Sequence, residues 1–174
     1  MKGIYLAAFK AHHPKYDIVY QDINGKRDIG GDMMDVDLTQ FDFIIATPPC
    51  NYYSRANYRR EVSVYSQKTK QLLPSILEKL CKQDKPFIVE NVKNKRLYSL
   101  LGLYNFPCFV YFIGRHTYWT NVLLPSGIIQ SNDFRYGGYQ VKNMYNLTRS
   151  DRQGGHNVHE VVELFLEIIH ACVK

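Results

Sequence analysis

A buried strand that ends at a reactive side chain is predicted by the stretch Phe41-Asp-Phe-Ile-Ile-Ala-Thr-Pro-Pro-Cys50. The short apolar run from Phe43 to Ala46 is typical of a parallel strand that is covered on both faces. Pro48 and Pro49 lack an N–H and have a fixed φ, so the strand has to stop there in a stiff elbow. Cys50 therefore lies just past the carboxyl end of a strand, where open α/β sheets place their ligands.

Strands and helices alternate through the rest of the sequence. Further strands are predicted over 17–20, 86–90 and 108–113, and helices over 73–83, 94–101 and 157–172. The first of these helices follows from apolar residues at positions i, i+3, i+4 and i+7, and Pro74 should mark its first turn or a kink. This order predicts an α/β fold with a mostly parallel sheet, built as a single domain over residues 1–174.

The composition limits the class of protein, its partners and its compartment. The chain has 174 residues, 45% of them apolar, and a net charge of +6 with a pI near 9.1. That charge favours anionic partners such as nucleic acid, although solubility alone explains it equally well. The four cysteines lack the spacing of metal ligands, so we expect no metal, free thiols and a reducing cytoplasm, bacterial or phage-infected. No apolar run approaches the roughly 18 residues of a membrane helix.

Basic and aromatic side chains are mixed in the segment that follows Cys50. Between residues 51 and 70 they are Tyr52, Tyr53, Arg55, Tyr58, Arg59, Arg60, Tyr65, Lys68 and Lys70. Such a mixture suits a loop that contacts a phosphate backbone and unstacked bases. We favour DNA contact, with Arg55, Arg59 and Arg60 as the candidates, over the alternative of a solvated basic loop, because the segment adjoins Cys50.

Two strand ends carry groups that suit covalent chemistry. Cys50 and Glu90 each end a predicted buried strand, so both side chains are expected over one crevice. A thiolate with a lowered pKa is a soft nucleophile, and a partly buried carboxyl can donate a proton near neutral pH. Together they would suit conjugate addition to C6 of a cytosine that is protonated at N3. An ordinary buried cysteine and a helix-capping glutamate explain the same residues at least as well.

An acid also follows the strand predicted over 17–20. In nucleotide-binding α/β folds, an acid at the end of the second strand accepts hydrogen bonds from ribose hydroxyls, and Asp22 is placed to do so. A solvated turn aspartate before Asn24-Gly25 is an equally good explanation.

The motifs resemble those of the DNA cytosine-5 methyltransferases. Thr47-Pro-Pro-Cys50 resembles their catalytic Pro-Cys motif, and Val89-Glu-Asn-Val92 resembles their Glu-Asn-Val motif. The compact methyltransferase-like proteins of phages and prophages are similar in two further segments, Asp28-Ile-Gly-Gly-Asp32 and Thr117-Tyr-Trp-Thr-Asn121, the latter with its Trp one place early. The resemblance covers residues 17–121 and, more loosely, the final helix.

The resemblance implies a Rossmann-like methyltransferase fold that uses S-adenosylmethionine to methylate cytosine in DNA. Cys50 would be the nucleophile and Glu90 the proton donor to N3. Arg115 is a weaker match to the arginine near the cytosine O2, because the Gln-x-Arg-x-Arg pattern is missing. The implied cofactor-binding residues are Asp22 for the ribose, Asp32 for the adenine, and Pro48, which with Pro49 would shape the loop. Residues 124–152 would be a reduced recognition region.

One family motif has no counterpart in this sequence. The family begins with a strand followed by Phe-x-Gly-x-Gly, whereas residues 2–10 match the helix after that loop and contain only Gly3. We therefore expect the sheet to lack its first strand. The chain could be part of a split or truncated enzyme completed by a second polypeptide or by self-association. It could be a degenerate relative that binds DNA without methyl transfer, or could use the Cys50 and Glu90 chemistry with another one-carbon donor.

A pure DNA-binding module, with the fold kept as a scaffold, stays open as well, because a fold does not fix a function. The pKa of the Cys50 thiol distinguishes an enzyme from a pure binding module. A thiol pKa well below about 8.5 argues for chemistry, and an ordinary one argues for a scaffold.

Overall fold

The computed structural model describes residues 17–25, 28–113 and 116–123. Six strands lie in this part of the chain: β1 (Gln21–Asp22), β2 (Ile29–Gly30), β3 (Ile44–Ala46), β4 (Phe87–Val92), β5 (Phe109–Ile113) and β6 (His116–Thr120). The helices are α1 (Val64–Cys81) and α2 (Lys95–Leu100), and a 3₁₀ turn spans Met33–Asp35. The predicted closing helix and the predicted recognition region, residues 124–152, lie outside the described residues.

The main sheet is mixed. Its strand order is β3-β4-β6-β5, with β3 and β4 parallel and the other two neighbouring pairs antiparallel. The α/β class is thus supported, but the prediction of a mostly parallel sheet is wrong for these strands. The reason is the connection between β5 and β6, which is two residues long and so permits only an antiparallel return.

A second, two-stranded sheet stands apart from the first. β1 and β2 pair in parallel, with Gln21 opposite Ile29 and Asp22 opposite Gly30. The predicted strand over 17–20 is thus displaced to Gln21–Asp22. Within the described ranges, β3 pairs only with β4, and no strand joins the two sheets.

Helix α1 begins nine residues earlier than its apolar pattern predicts. Ser63 caps it, because the side chain accepts a hydrogen bond from the backbone N–H of Ser66 at 3.3 Å. The buried face starts with Ser66 and Thr69, small polar residues that the apolar pattern overlooks. Consequently residues 64–70 are helical rather than loop, and Pro74 lies in the helix interior rather than in its first turn.

The core lies between α1 and one face of the sheet. It combines aliphatic residues of α1 with aromatic rings from the loops, α2 and the sheet; its fully buried members include Leu73, Leu77, Leu80, Tyr53, Phe87, Tyr98 and Trp119. Tyr98 and Trp119 meet edge to face, with ring centroids 5.0 Å apart. The Trp119 indole N–H donates to the Leu103 carbonyl at 2.8 Å, so burial leaves this polar group satisfied.

Lys79 fixes the 3₁₀ turn to α1. Its ammonium donates to three backbone carbonyls, at 3.0 Å for Met33, 2.7 Å for Met34 and 2.7 Å for Val36. A single flexible cation thus binds the Met34 and Val36 carbonyls and is a second donor to the Met33 carbonyl, which also accepts from the Val36 N–H at 3.3 Å. No helix in the described part of the chain is long and apolar enough to cross a membrane.

We expect Lys79→Met to lower the free energy of unfolding by about 1–2 kcal/mol, because the three carbonyls lose a charged donor while the aliphatic stem is kept. Denaturant unfolding measures this change. The matched control is Lys82→Met on the same helix, whose ammonium makes only an exposed pair with Glu78 at 2.7 Å and whose loss should leave stability unchanged. Equal midpoints for the two variants would contradict the assigned role of Lys79.

Candidate active site

The elbow after β3 continues into a tight turn that starts at Cys50. The Cys50 carbonyl accepts from the backbone N–H of Tyr53 at 3.0 Å and from that of Ser54 at 2.8 Å. Pro48 is buried and Cys50 is partly buried. The double proline thus stops the strand as predicted, and the turn fixes the main chain around the thiol.

The end of β4 holds this turn in place. The last parallel pair joins Ala46 and Val89, so both chains emerge at the same edge of the sheet. The buried Asn91 amide then donates to the Pro48 carbonyl at 3.1 Å. Sequence analysis assigned no role to Asn91, although an amide directly after Glu90 at a strand end was the available signal.

Glu90 lies close enough to Cys50 to affect its ionisation. Burial raises the pKa of the Cys50 thiol most, and the negative charge of Glu90 raises it further, whereas a hydrogen bond to backbone lowers it by less. The thiol is therefore protonated at neutral pH in this state. The lowered pKa expected of an activated nucleophile is not found.

Glu90 also faces a histidine that the sequence analysis overlooked. Its carboxyl oxygen Oε1 lies 3.6 Å from Nε2 of His116, and the two side chains are only 2% and 3% exposed. The antiparallel register places His116 opposite Val92, two residues beyond Glu90 and on the same face of the sheet. A histidine in an otherwise aromatic strand was the only sequence signal.

Tyr98 connects the same region to the core. Its hydroxyl donates to Asn91 Oδ1 at 3.3 Å and to the Val92 carbonyl. Burial first, and then the nearby charge of Glu90, raise the pKa of this phenol, so it stays neutral and acts as a donor. Cys50, Glu90 and Tyr98 therefore share one electrostatic environment.

The predicted cofactor residues each follow the carboxyl end of a strand. Asp22 ends β1, and its Oδ1 accepts from the backbone and side-chain N–H groups of Asn24 at 2.7 and 2.9 Å. Asp32 follows β2 and caps the 3₁₀ turn through a bond from Met34 N at 2.9 Å. Both carboxylates thus have structural uses in the turns that follow their strands.

The basic segment divides into outward and inward arginines. Arg55 and Arg59 are exposed. Arg60 instead turns inward and donates to the carbonyls of Asn57 at 3.1 Å and Ser54 at 2.9 Å, which braces the turn after Cys50. An open pocket of about 480 Å³ lies beside the turn, lined by Asn51, Asn57, Arg59, Ser63, Tyr65 and Ser66.

Two remaining predictions concern Arg115 and metal. Arg115 lies outside the described residues. Within the part of the chain that the structure describes, no three His, Cys, Asp or Glu side chains are grouped as metal ligands. Cys50, Cys81 and Cys108 are free thiols.

Comparison with known proteins identifies the family. No curated protein and no solved structure gives a significant match. A protein-family model described as C-5 cytosine-specific DNA methylase matches residues 2–97, which is more than half of the chain and includes both Cys50 and Glu90. The family generally uses S-adenosylmethionine, acts on DNA and implies a methyltransferase fold. The chain belongs to the C-5 cytosine-specific DNA methylase family.

Proposed function

We propose that this protein methylates C5 of cytosine in DNA, with Cys50 as nucleophile and Glu90 as proton donor. The observation that carries the proposal is the electrostatic contact between them, since the Glu90 charge reaches the Cys50 thiol across the joined ends of β3 and β4. A thiol beside a buried carboxyl at a strand-end crevice is the pair that addition to an electron-poor ring requires.

The position of one proton explains why the resting thiol is inactive. With a charged Glu90 beside it, Cys50 keeps its proton. Moving that proton to Glu90, directly or through water, leaves a thiolate beside a neutral carboxylic acid and changes no net charge. Both products are then in the protonation states that the reaction uses, because the thiolate attacks and the acid donates.

The chain's own groups account for the remaining steps. The thiolate forms a bond to C6 while Glu90 gives its proton to N3, and the π electrons of the C5–C6 bond make C5 nucleophilic. S-adenosylmethionine, when bound, supplies the methyl group for C5. Loss of the C5 proton to a base then lets the C6–S bond break, N3 returns its proton to Glu90, and the Cys50 thiolate is released. The target base has to leave the duplex for Cys50 to reach it.

The chain offers suitable groups for that cofactor at three strand ends. Asp22 would accept hydrogen bonds from the ribose hydroxyls, Asp32 would accept from the adenine amino group, and Pro48 would shape the wall of the pocket. Asp32 suits such a donor, because its hydrogen bond from Met34 N–H uses Oδ1 and Oδ2 can accept another.

Exposed arginines and aromatic rings beside Cys50 would contact the DNA. Arg55 and Arg59 are exposed, Tyr58 is 90% exposed, and Tyr65 at the start of α1 is 57% exposed. Large exposed rings among cations suit stacking on bases and pairing with phosphates. Arg60 is also predicted to contact DNA, but its two hydrogen bonds to backbone carbonyls favour a structural role instead.

The second candidate function is DNA binding by a chain that does not methylate DNA alone. The raised pKa of the Cys50 thiol favours it. A strand from a second polypeptide or a second copy could pair with β3 and complete the cofactor pocket. Titration calorimetry with S-adenosylmethionine separates the two functions: a dissociation constant of about 100 μM or tighter supports methylation by this chain, and no binding at millimolar ligand supports the alternative.

We expect a covalent adduct between the protein and DNA that contains 5-fluorocytosine, because fluorine at C5 blocks the release step and leaves the C6–S bond in place. The adduct should form with S-adenosylmethionine present and should be seen as a denaturant-resistant band. Cys50→Ser should abolish it, whereas Cys81→Ser, on α1, should leave it intact. An adduct that persists in Cys50→Ser would refute the assignment of the nucleophile.

Glu90→Gln should lower the pKa of Cys50, because removing the carboxylate charge takes away one of the two effects that raise it. The pH profile of Cys50 alkylation should therefore shift to lower pH, by about one unit for every 1.4 kcal/mol of lost repulsion. Glu78→Gln, which removes an exposed carboxylate on α1, is the control and should not shift the profile. An unchanged or upward-shifted profile in Glu90→Gln would contradict the contact.

Loss of Arg55 or Arg59 should weaken DNA binding at low salt and reduce the slope of log affinity against log salt by about one for each phosphate contact removed. Fluorescence anisotropy over a salt series measures both quantities. Lys82→Ala removes an equal charge from the far end of α1 and should leave the slope unchanged. The same loss in all three variants would mean that overall charge, not this surface, attracts the DNA.

A further inference from the structure

Tyr53 is the most heavily engaged residue of the turn that follows Cys50. Its backbone N–H donates to the Cys50 carbonyl at 3.0 Å, and its own carbonyl accepts from Asn94 Nδ2 at 2.7 Å. Its hydroxyl donates to the Lys70 carbonyl at 2.6 Å, and its ring lies 5.5 Å from that of Tyr98. The side chain is fully buried. The main chain and ring of Tyr53 are therefore held by α2 and its N-cap Asn94, and the hydroxyl is held by α1.

The acceptor on α1 exists because of Pro74. In an α-helix the carbonyl of residue 70 accepts from the N–H of residue 74, and proline has no N–H. Pro74 thus leaves the Lys70 carbonyl without its helical donor in the interior of α1. The Tyr53 hydroxyl takes that place. A hydrogen-bond donor that α1 lacks is thus supplied by a side chain from the turn that begins at Cys50.

We propose that Tyr53 is a positioning residue for Cys50. The Lys70 carbonyl, which lacks its helical donor because of Pro74, is the acceptor that holds the Tyr53 hydroxyl. Two residues separate Cys50 from Tyr53, and the turn between them is closed by hydrogen bonds to the Cys50 carbonyl. With Tyr53 fixed to α1 and to Asn94, the direction of the Cys50 side chain is set. The catalytic importance of that direction rests on the proposed function, whereas the positioning itself does not.

The competing explanation is that Tyr53 only fills the core. A core residue would change stability when altered and would leave Cys50 unaffected in molecules that remain folded. A positioning residue would change the reactivity of Cys50 at temperatures where the protein is fully folded. Reactivity of the thiol is therefore the readout that separates the two roles, and it needs neither DNA nor S-adenosylmethionine.

The experiment measures alkylation of Cys50 by iodoacetamide, resolved from the other cysteines by peptide mass spectrometry. Tyr53→Phe keeps the ring and removes the hydroxyl; loosening of the turn should raise the rate at least about threefold through greater exposure of the thiol. The matched control is Tyr104→Phe, whose hydroxyl also donates to a backbone carbonyl, that of Lys95 at 3.2 Å, away from the turn. Its rate should equal that of the wild type.

The variant Pro74→Ala provides a second, independent test of the positioning role. The new N–H competes for the Lys70 carbonyl, so the helix becomes more regular while the Tyr53 hydroxyl is displaced. Cys50 alkylation should rise here too, and adding Tyr53→Phe in this background should have little further effect. Rates equal to those of Tyr104→Phe in both single variants would overturn the inference. The expected rates in a protein that forms no methylated DNA would refute the proposed function and leave the inference standing.

Discussion

The parallel pairing of β3 with β4 is the constraint on which the site depends. It brings two strand ends to one edge, so that a thiol four residues past β3 and a carboxylate within β4 share a crevice. The strand itself is only three residues long and could not hold the elbow alone. Side-chain amides supply the missing support, since Asn91 and Asn94 donate to main-chain carbonyls on either side of Cys50.

That support has an electrostatic cost. Burial of Cys50, and then the charge of the nearby Glu90, raise the pKa of the thiol, so the arrangement that brings the proposed reacting pair together also keeps the thiol protonated. His116, 3.6 Å from Glu90 and equally buried, adds a third titratable group to this environment.

The sequence was sufficient for the features that local chemistry dictates. The double proline predicted the elbow before Cys50, and the apolar run before Glu90 predicted β4 with its functional end. The antiparallel pairing of β5 with β6 was missed because the apolar pattern does not distinguish a strand from a turn over His116–Thr120, although only two residues separate it from β5. The inward turn of Arg60 was likewise hidden, because it depends on carbonyls that only the folded turn presents. The predicted Arg115 contact is untested.

Hydrogen bonds from tyrosine hydroxyls help to hold the loops in place beside this small sheet. The hydroxyls of Tyr53 and Tyr98 donate to backbone carbonyls of α1 and β4, and their rings pack together and on Trp119. A phenylalanine core would bury similar area but would leave those carbonyls without donors. The hydrogen bonds fix the rings in direction as well as in place. We therefore expect a change in the geometry of α1 to reach the turn at Cys50 through the hydrogen bond between the Tyr53 hydroxyl and the Lys70 carbonyl.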